Sequence, residues 1–472
     1  MPPIKSLWTD FSYKPHQTIG IEWMLERETQ LPAGGIVCDE MGLGKTIEML
    51  GLIKSGGPNT HNLIFAPVAV LNQWADTAKK ASISVYRPKV TAKHVSWEIE
   101  GSNRFLAPKI YLIGYEAGRS RHELLTAFPW DRVICDEAHR LASGNSSFML
   151  VNNLVSKARW MLSATPIVNG LDDLSHLFEL IGIDTPKAVT QDYDKLSAAV
   201  KKYVLARSMD QLRSSIPDAP PKPEIETQSL PFYTNEESEF YKGISGVIVK
   251  KWKAVEADGA GALQKLQLFM KLRQLSLHPQ VYINARKKAL GSKYTREDWN
   301  GSSTKFEAIK TLIENQINNV GAPHKWIVFC HFHPEMELLE SMFKAQMWCR
   351  NVSIYSGTLN HKERQAMIEK THIPLPSSKQ TDVLLVQLQS GGTGLNLQHF
   401  DRIIFTGPWW TSALMEQAIG RAVRIGQKEV VKVYNFVLQE EEAINIDKVM
   451  REKAEMKGSL CRQVLELATR SC

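Results

Sequence analysis

At 472 residues the chain is too long for one ordinary hydrophobic core, and two domains with an insertion are expected. Hydrophobic residues at 43% and charged residues at 23% are globular values that exclude large-scale disorder. No apolar run approaches the length that crosses a bilayer, Met1-Pro2-Pro3-Ile4-Lys5-Ser6 lacks a secretory apolar core, and the six cysteines never form a CxxC pair, so the composition argues against membrane spans, secretion and a zinc finger.

Taken in order, the chain first offers Ile21, Trp23, Met24 and Leu25 behind a Pro15-His16-Gln17 turn, a pattern that predicts a helix. The Gln17 amide has both a donor and an acceptor and could read an adenine. Gly35-Ile36-Val37-Cys38 then reads as a buried strand, and Ile47-Glu48-Met49-Leu50-Gly51-Leu52-Ile53 as a helix. Between them lies Asp39-Glu40-Met41-Gly42-Leu43-Gly44-Lys45-Thr46. Strand, glycine loop, Lys-Thr and helix is the arrangement that cradles a nucleoside triphosphate, because glycine lets backbone N–H groups curl towards phosphate oxygens. Lys45 is expected to reach the β/γ-phosphates and Thr46 to ligate Mg²⁺. The general pattern GxxxxGK[ST] has glycine where this chain has Asp39. A plain helix N-terminus is the competing reading of the loop alone.

Asn62–Pro67 and Lys109–Glu116 read as further strands, with a helix beginning at Leu71-Asn72-Gln73-Trp74. Strands alternating with helices imply βαβ units and a parallel sheet whose ligands gather at the strands' carboxyl ends. The strand Trp130–Cys135 delivers two adjacent carboxylates there. Asp136 is expected to hold Mg²⁺ and Glu137 to orient the attacking water, with His139 two residues on. Arg159–Leu162 is another strand, and it ends in Ser163 and Thr165, candidates for sensing the γ-phosphate. Cys38, Cys135 and Cys330 each close an apolar run and are read as small buried hydrophobes.

Prolines 217, 220, 221, 223 and 231 mark a connector. The chain's net charge of +7 is concentrated just beyond it: twelve lysines and arginines from Lys242 to Arg296 stand against Glu256 and Asp258 alone. Such a basic insertion, with Lys250, Lys251 and Lys253 at its centre, fits contact with a phosphate backbone; the competing reading is a solvated helical face. A second α/β pattern follows: strands at Trp326–Cys330, Ser353–Gly357, Asp382–Val386 and Arg402–Phe405, with the turn Ser390-Gly391-Gly392-Thr393-Gly394 between the last two. Pro408-Trp409-Trp410 comes next, and Trp410 is a candidate DNA contact. Gln417, Arg421 and Arg424 lie at i, i+4 and i+7, so one helical face is expected to carry an amide and two guanidiniums able to act as arginine fingers.

Together these blocks resemble the superfamily 2 ATPases and, within them, the SWI/SNF-type DNA translocases. Asp39–Thr46 resembles that family's phosphate loop, which gives Asp39 a place, and Asp136-Glu137-Ala138-His139 its metal-binding motif. Leu162-Ser163-Ala164-Thr165-Pro166 is similar to its third motif, and Arg421 with Arg424-Ile425-Gly426-Gln427 to its sixth. Trp23–Glu28, Leu272-Arg273-Gln274 with His278-Pro279, and Pro408-Trp409-Trp410 resemble most the RING-containing repair subgroup, the helicase-like transcription factor relatives. The subgroup's RING has no counterpart here, so ligase activity is not carried over. Thr411-Ser412, Gly407, Val423 and Ala206-Arg207 also depart from the family's usual Asn-Pro, Asp, His and Arg-Arg. Gln387-Leu388-Gln389-Ser390 is similar to relatives in large DNA viruses.

The expected architecture is α/β: two RecA-like lobes in tandem with a helical basic insertion between them. Lobe one is placed at 1–215, the connector and insertion at 216–304, and lobe two at 305–472. The resemblance implies an ATP- and Mg²⁺-using, DNA-dependent ATPase that moves along double-stranded DNA, with nucleosomes or other DNA-bound protein as possible objects. Its ATP-binding set is Gln17, Asp39, Gly42, Leu43, Gly44, Lys45 and Thr46, and its catalytic set Lys45, Asp136, Glu137, Gln417, Arg421 and Arg424. A strand-separating helicase of the DEAH kind is the alternative. The resemblance places the protein in the nucleus if it is cellular, with a viral origin also open.

Overall fold

The structure, a computed structural model, describes residues 2–91, 95–101, 106–126, 129–257, 261–319, 324–357, 359, 361–375, 379–391 and 395–468. The chain forms two compact units, residues 1–219 with 456–472, and residues 220–455.

In the first unit, helix α1 (Pro15–Arg27) precedes β1 (Gly34–Val37), and the glycine loop leads into α2 (Lys45–Ser55). There follow β2 (His61–Phe65), α3 (Leu71–Lys80), β3 (Ser84–Val90), β4 (Val95–Ile99), β5 (Lys109–Ile113), β6 (Trp130–Asp136), β7 (Ser156–Leu162) and β8 (Val204–Leu205). Among the described residues these strands make an eight-stranded sheet in the order β4-β3-β5-β2-β6-β7-β1-β8. Its pairs are parallel except β3 with β4. Successive strand residues serve opposite faces, as the two-residue period demands: Val133 and Met161 lie in one apolar cluster, Ile134 and Leu162 in the other. The chain leaves β1, passes over β7 and β6 and returns as β2 beside β6. This reversal opens a crevice at the carboxyl ends of β1, β7 and β6, where a doubly wound sheet binds its ligand.

The second unit begins with β9 (Glu224–Leu230), followed by three helices, α4 (Asn235–Ala257), α5 (Ala262–Leu277) and α6 (Pro279–Leu290), and then α7 (Thr304–Asn319). Next come β10 (Trp326–Cys330), β11 (Cys349–Tyr355), β12 (Thr381–Gln387), β13 (Arg402–Phe405), α8 (Ser412–Ile419), β14 (Lys432–Leu438) and α9 (Ile446–Ala468). Its described strands form a parallel six-stranded sheet ordered β11-β12-β10-β13-β14-β9. The expected pair of α/β sheets in tandem is therefore present, and all four strands expected in this half are found. Of the expected glycine turn at 390–397, residues 392–394 lie outside the described residues.

Several features depart from the sequence-based expectation. The segment after the prolines, read as connector, contains β9, which pairs along its whole length with β14. Its sequence Glu-Ile-Glu-Thr-Gln-Ser-Leu is polar because an edge strand needs backbone partners on one side only. The basic helices belong to the second unit: Glu237 of α4 accepts hydrogen bonds from the Thr304 backbone N–H (2.9 Å) and hydroxyl (2.6 Å) at the start of α7. Finally, α9 begins with Ile446 and Met450 in the second unit's core, whereas Cys461, Val464 and Ala468 are buried in the first unit's. The boundary expected to run to 472 thus divides at 455/456. Cys38, Cys135 and Cys330 are buried, and burial pushes their thiols up, so they are inert packing groups as read from the sequence.

Candidate functional site

The glycine loop is built by β1 and closed by α1. Gly42 and Gly44 take φ of 88° and 95°, a region side chains avoid. A Cβ on Gly44 would stand 2.5 Å from Gln17 Nε2. That amide is engaged at both ends, donating to Leu43 O at 3.1 Å and accepting from Lys14 N at 3.0 Å. Gln17 therefore fastens the loop to the head of α1. Lys45 heads α2, and its ammonium lies 2.6 Å from Asp39 O. Thr46 follows it, half-buried.

Asp39 has a structural explanation. Its fully buried carboxylate accepts from Arg207 Nε at 3.0 and 3.1 Å and also from Nη2. Arg207 Nη2 meets Glu48 Oε1 of α2 at 2.7 Å, and Nη1 donates to His16 O. Burial alone would lower the guanidinium's pKa, but the Glu48 and Asp39 carboxylates overcome it and the net displacement is upward. Glu48 is pushed up, by burial first and by the Asp39 charge second. One arginine from beyond β8 thus pins the loop, α1 and α2 together. The sequence offered it only as the surviving member of an expected arginine pair.

At the end of β6, Asp136 accepts from Trp74 Nε1 (2.8 Å) through one oxygen and from Glu137 N (3.0 Å) through the other. Burial, then the neighbouring Glu137 charge, pushes the Asp136 carboxyl up to about 6, while the Trp74 hydrogen bond and Lys45 pull the other way. Trp74 escaped the sequence reading, which took it as part of a helix start. Its signal was a fully buried indole on the apolar face of α3, because a buried N–H needs an acceptor. Glu137 adopts φ 52°, ψ 49°, a left-handed conformation that costs a non-glycine residue about 1 kcal/mol or more and turns the chain sharply out of the strand. His139 Nδ1 lies 3.3 Å from Glu137 Oε2 and 3.2 Å from Ser163 Oγ, which in turn accepts from Thr165 N at 3.2 Å. Burial, helped by Arg140, pushes His139 down to about 4, so a neutral ring joins the end of β6 to the end of β7 at ordinary pH.

Below the sheet, Glu28 takes Arg132 in a two-pronged pair at 2.6 Å per prong, and Trp160 Nε1 at 3.0 Å. The segment Trp23–Glu28 is thereby an anchor of β6 and β7.

In the second unit the expected helical face is not formed. Helix α8 ends at Ile419, with Gly420 as its cap, so Gln417 is on the helix while Arg421 and Arg424 lie in the turns beyond it. The turns are held by side chains: Gln427 Nε2 donates to Gln398 O (2.7 Å), Gln398 Nε2 to Ile425 O (2.7 Å), and Arg424 Nε to Gly420 O (2.9 Å). The Gly420 and Ile425 carbonyls thereby find partners that a longer helix would have supplied internally. The two arginines remain close, since burial and then the Arg421 charge lower Arg424 to about 10. Arg421 is buried and Arg424 partly so, a setting in which two guanidiniums suit an anion carrying several charges.

Trp410 stacks on Phe269 of α5 with centroids 3.9 Å apart, and Arg273 lies over the neighbouring Trp409 ring at 4.4 Å. Arg273 Nη2 also meets His331 Nδ1 at 2.9 Å, and His331 Nε2 meets Gly407 O at 3.0 Å. Where the family usually has Asp, a Cβ on Gly407 would lie 3.1 Å from Lys305 Nζ; that ammonium is paired with Asp447 of α9 at 2.6 Å. Lys250, Lys251 and Lys253 are exposed on α4. The structure thus gathers Gln17, Asp39, Gly42, Leu43, Gly44, Lys45, Thr46, Asp136 and Glu137 around one crevice of the first unit, and Gln417, Arg421 and Arg424 around one turn of the second.

Compared with known proteins, the chain matches the SNF2-related domain over residues 16–281 and the helicase conserved C-terminal domain over 304–426. It is 26% identical to the probable global transactivator of Orgyia pseudotsugata multicapsid polyhedrosis virus, over 96% of this chain and 91% of that protein. It is 25% identical to the ISWI chromatin-remodeling complex ATPase ISW1 of Saccharomyces cerevisiae, over 96% of this chain but only 40% of that protein. Among solved structures, the Sulfolobus solfataricus SWI2/SNF2 ATPase core in complex with dsDNA is similar at 20% identity and a TM-score of 0.40, with both chains fully covered. The chain belongs to the SNF2-related family: it is a SWI/SNF-type superfamily 2 enzyme, a helicase-like, DNA-dependent ATPase of two RecA-like lobes.

Proposed function

We propose that the protein is an ATP-driven translocase on double-stranded DNA. The observation that carries this reading is the meeting, at the carboxyl ends of β1, β6 and β7, of a lysine-headed glycine loop, an Asp-Glu pair and a His-Ser link. The loop's N–H groups and Lys45 bind the phosphates. Thr46 and Asp136 would hold Mg²⁺, which would neutralise phosphate charge. The residues suit it: Asp136 is a buried carboxylate displaced upward by burial and the Glu137 charge, and a divalent cation beside it reverses that displacement. Glu137 orients the attacking water and takes its proton. Ser163, bonded to His139 and Thr165, passes the state of that site along β7. Gln417, Arg421 and Arg424 are assigned to catalysis, because guanidiniums stabilise charge on a transferred phosphoryl group.

Movement along the duplex follows if hydrolysis requires both lobes to engage it in register. The similarity to ISWI-type remodelling ATPases supports nucleosomes or another DNA-bound protein as the object moved, and a nuclear location for a cellular protein. Similarity along most of a baculovirus protein supports a viral setting equally. ATPase stimulation compared across duplex DNA, single-stranded DNA and RNA tests the reading. Duplex DNA is expected to stimulate most; stimulation by RNA alone would overturn it in favour of a DEAH-type helicase.

A further inference from the structure

The three helices of the basic insertion share one apolar core, to which α4 contributes Tyr241 and Ile248, α5 contributes Leu268 and Leu272, and α6 contributes Tyr282 and Ile283. One turn beyond a core residue, each helix carries a cation: Lys251 after Ile248, Lys271 after Leu268 and Arg286 after Ile283. On a helix, residues three apart share a face, so each cation borders the shared core. Helix α4 packs on α5, and α5 on α6, around that core. His278 and Pro279 turn the chain from α5 into α6. Burial first, then the Arg286 and Lys251 charges, lower the Lys271 pKa.

Helices α5 and α6 contain no Asp or Glu. Other cations of the insertion are matched: Lys242 with Glu442 at 2.5 Å, Lys265 with Glu256 at 3.1 Å and Lys287 with Asp298 at 2.8 Å. Among the described residues, no ion pair joins Lys251, Lys271 or Arg286 to a carboxylate. Three like charges gathered on one bundle work against the fold unless an anion completes them.

We propose that Lys251, Lys271 and Arg286 form one patch, drawn from three helices, that binds the sugar–phosphate backbone of duplex DNA. This rests on the reading of the chain as a duplex-DNA ATPase and adds a place where the duplex is held outside the nucleotide-binding crevice. Lys250 and Lys253, flanking Lys251 on the exposed side of α4, extend the same positive surface. Backbone contacts of this kind position without reading sequence, and each neutralised phosphate adds about 0.9 to the slope of log affinity against log salt.

The test compares the full chain with the triple variant Lys251→Gln, Lys271→Gln, Arg286→Gln, and with Lys287→Gln as a paired-cation control. Affinity for a short duplex of arbitrary sequence is measured across a salt series. The triple variant is expected to lose about 2.7 from the slope, equally for different sequences, while the control keeps the wild-type slope. Because the substitutions relieve repulsion, the triple variant should melt at or above the wild-type temperature. An unchanged slope in a variant whose ATPase duplex DNA still stimulates would overturn the patch and leave the ATPase reading standing. Absence of duplex stimulation in the wild type would overturn the reading and the patch with it. A lowered melting temperature would overturn the patch in favour of a structural role. Loss of polyglutamate binding with duplex affinity intact would overturn it in favour of an acidic protein.

Discussion

Asp39 shows how a departure from a general motif becomes intelligible once its partner is known. A loop glycine would leave Arg207 and Glu48 buried together with no second carboxylate, whereas Asp39 completes a three-member ion group at full burial. Breaking such a group from one side strands the remaining charges, which costs about 3–5 kcal/mol. Arg207→Ala is therefore expected to lower unfolding stability by that amount, read by urea denaturation, with ATP affinity falling as the loop loosens. Glu137→Gln acts differently, because the amide fits the same space but takes no proton. ATP binding should persist while turnover falls about 10²–10⁴-fold; unchanged turnover would remove Glu137 from its role. Lys45, Asp136 and Glu137 were legible because their chemistry is tied to spacing along the chain. Arg207 and Trp74 were not, because what identifies them is a partner 168 residues away in one case and 62 in the other.

At the scale of elements, apolar runs such as Trp326–Cys330 and Trp130–Cys135 announced themselves as strands because a central strand is buried on both faces. Strands at the sheet edges did not. β9 is polar, β4 (Val-Ser-Trp-Glu-Ile) is mixed and largely exposed, and β8 is two residues long, since its work is to lend backbone groups to β1. The helical period from Gln417 to Arg424 was a real pattern that tertiary bonds overrode, with Gln398 taking up the Ile425 carbonyl and Arg424 that of Gly420. His278 between α5 and α6 is the reverse case, a family mark with a local reason. Burial pushes it down to about 4, and its neutral ring accepts from Gln280 N at 3.0 Å, capping α6 just before Pro279 begins the helix. His278→Ala should cost about 1 kcal/mol in urea denaturation, and His278→Asn, which keeps an acceptor, should recover most of it.

Over the whole molecule, the sequence conveyed two α/β halves and the order of their motifs, while α9 from Met456 on packs with the first unit. Helix α9 is amphipathic throughout, and nothing in its period says which core receives Val464. Val464→Asp puts a carboxylate into the first unit's core, so that unit should melt at a lower temperature while the second keeps its transition. Calorimetry that finds only the second transition displaced would contradict the packing described. The central claim is that ATP hydrolysis drives motion along an intact duplex. Displacement of a third strand from a DNA triplex tests it most directly, because duplex strands need not separate for the third to be removed. The account predicts displacement that requires ATP and vanishes in Glu137→Gln. A protein whose ATPase is stimulated by the duplex but which never displaces the third strand would contradict it.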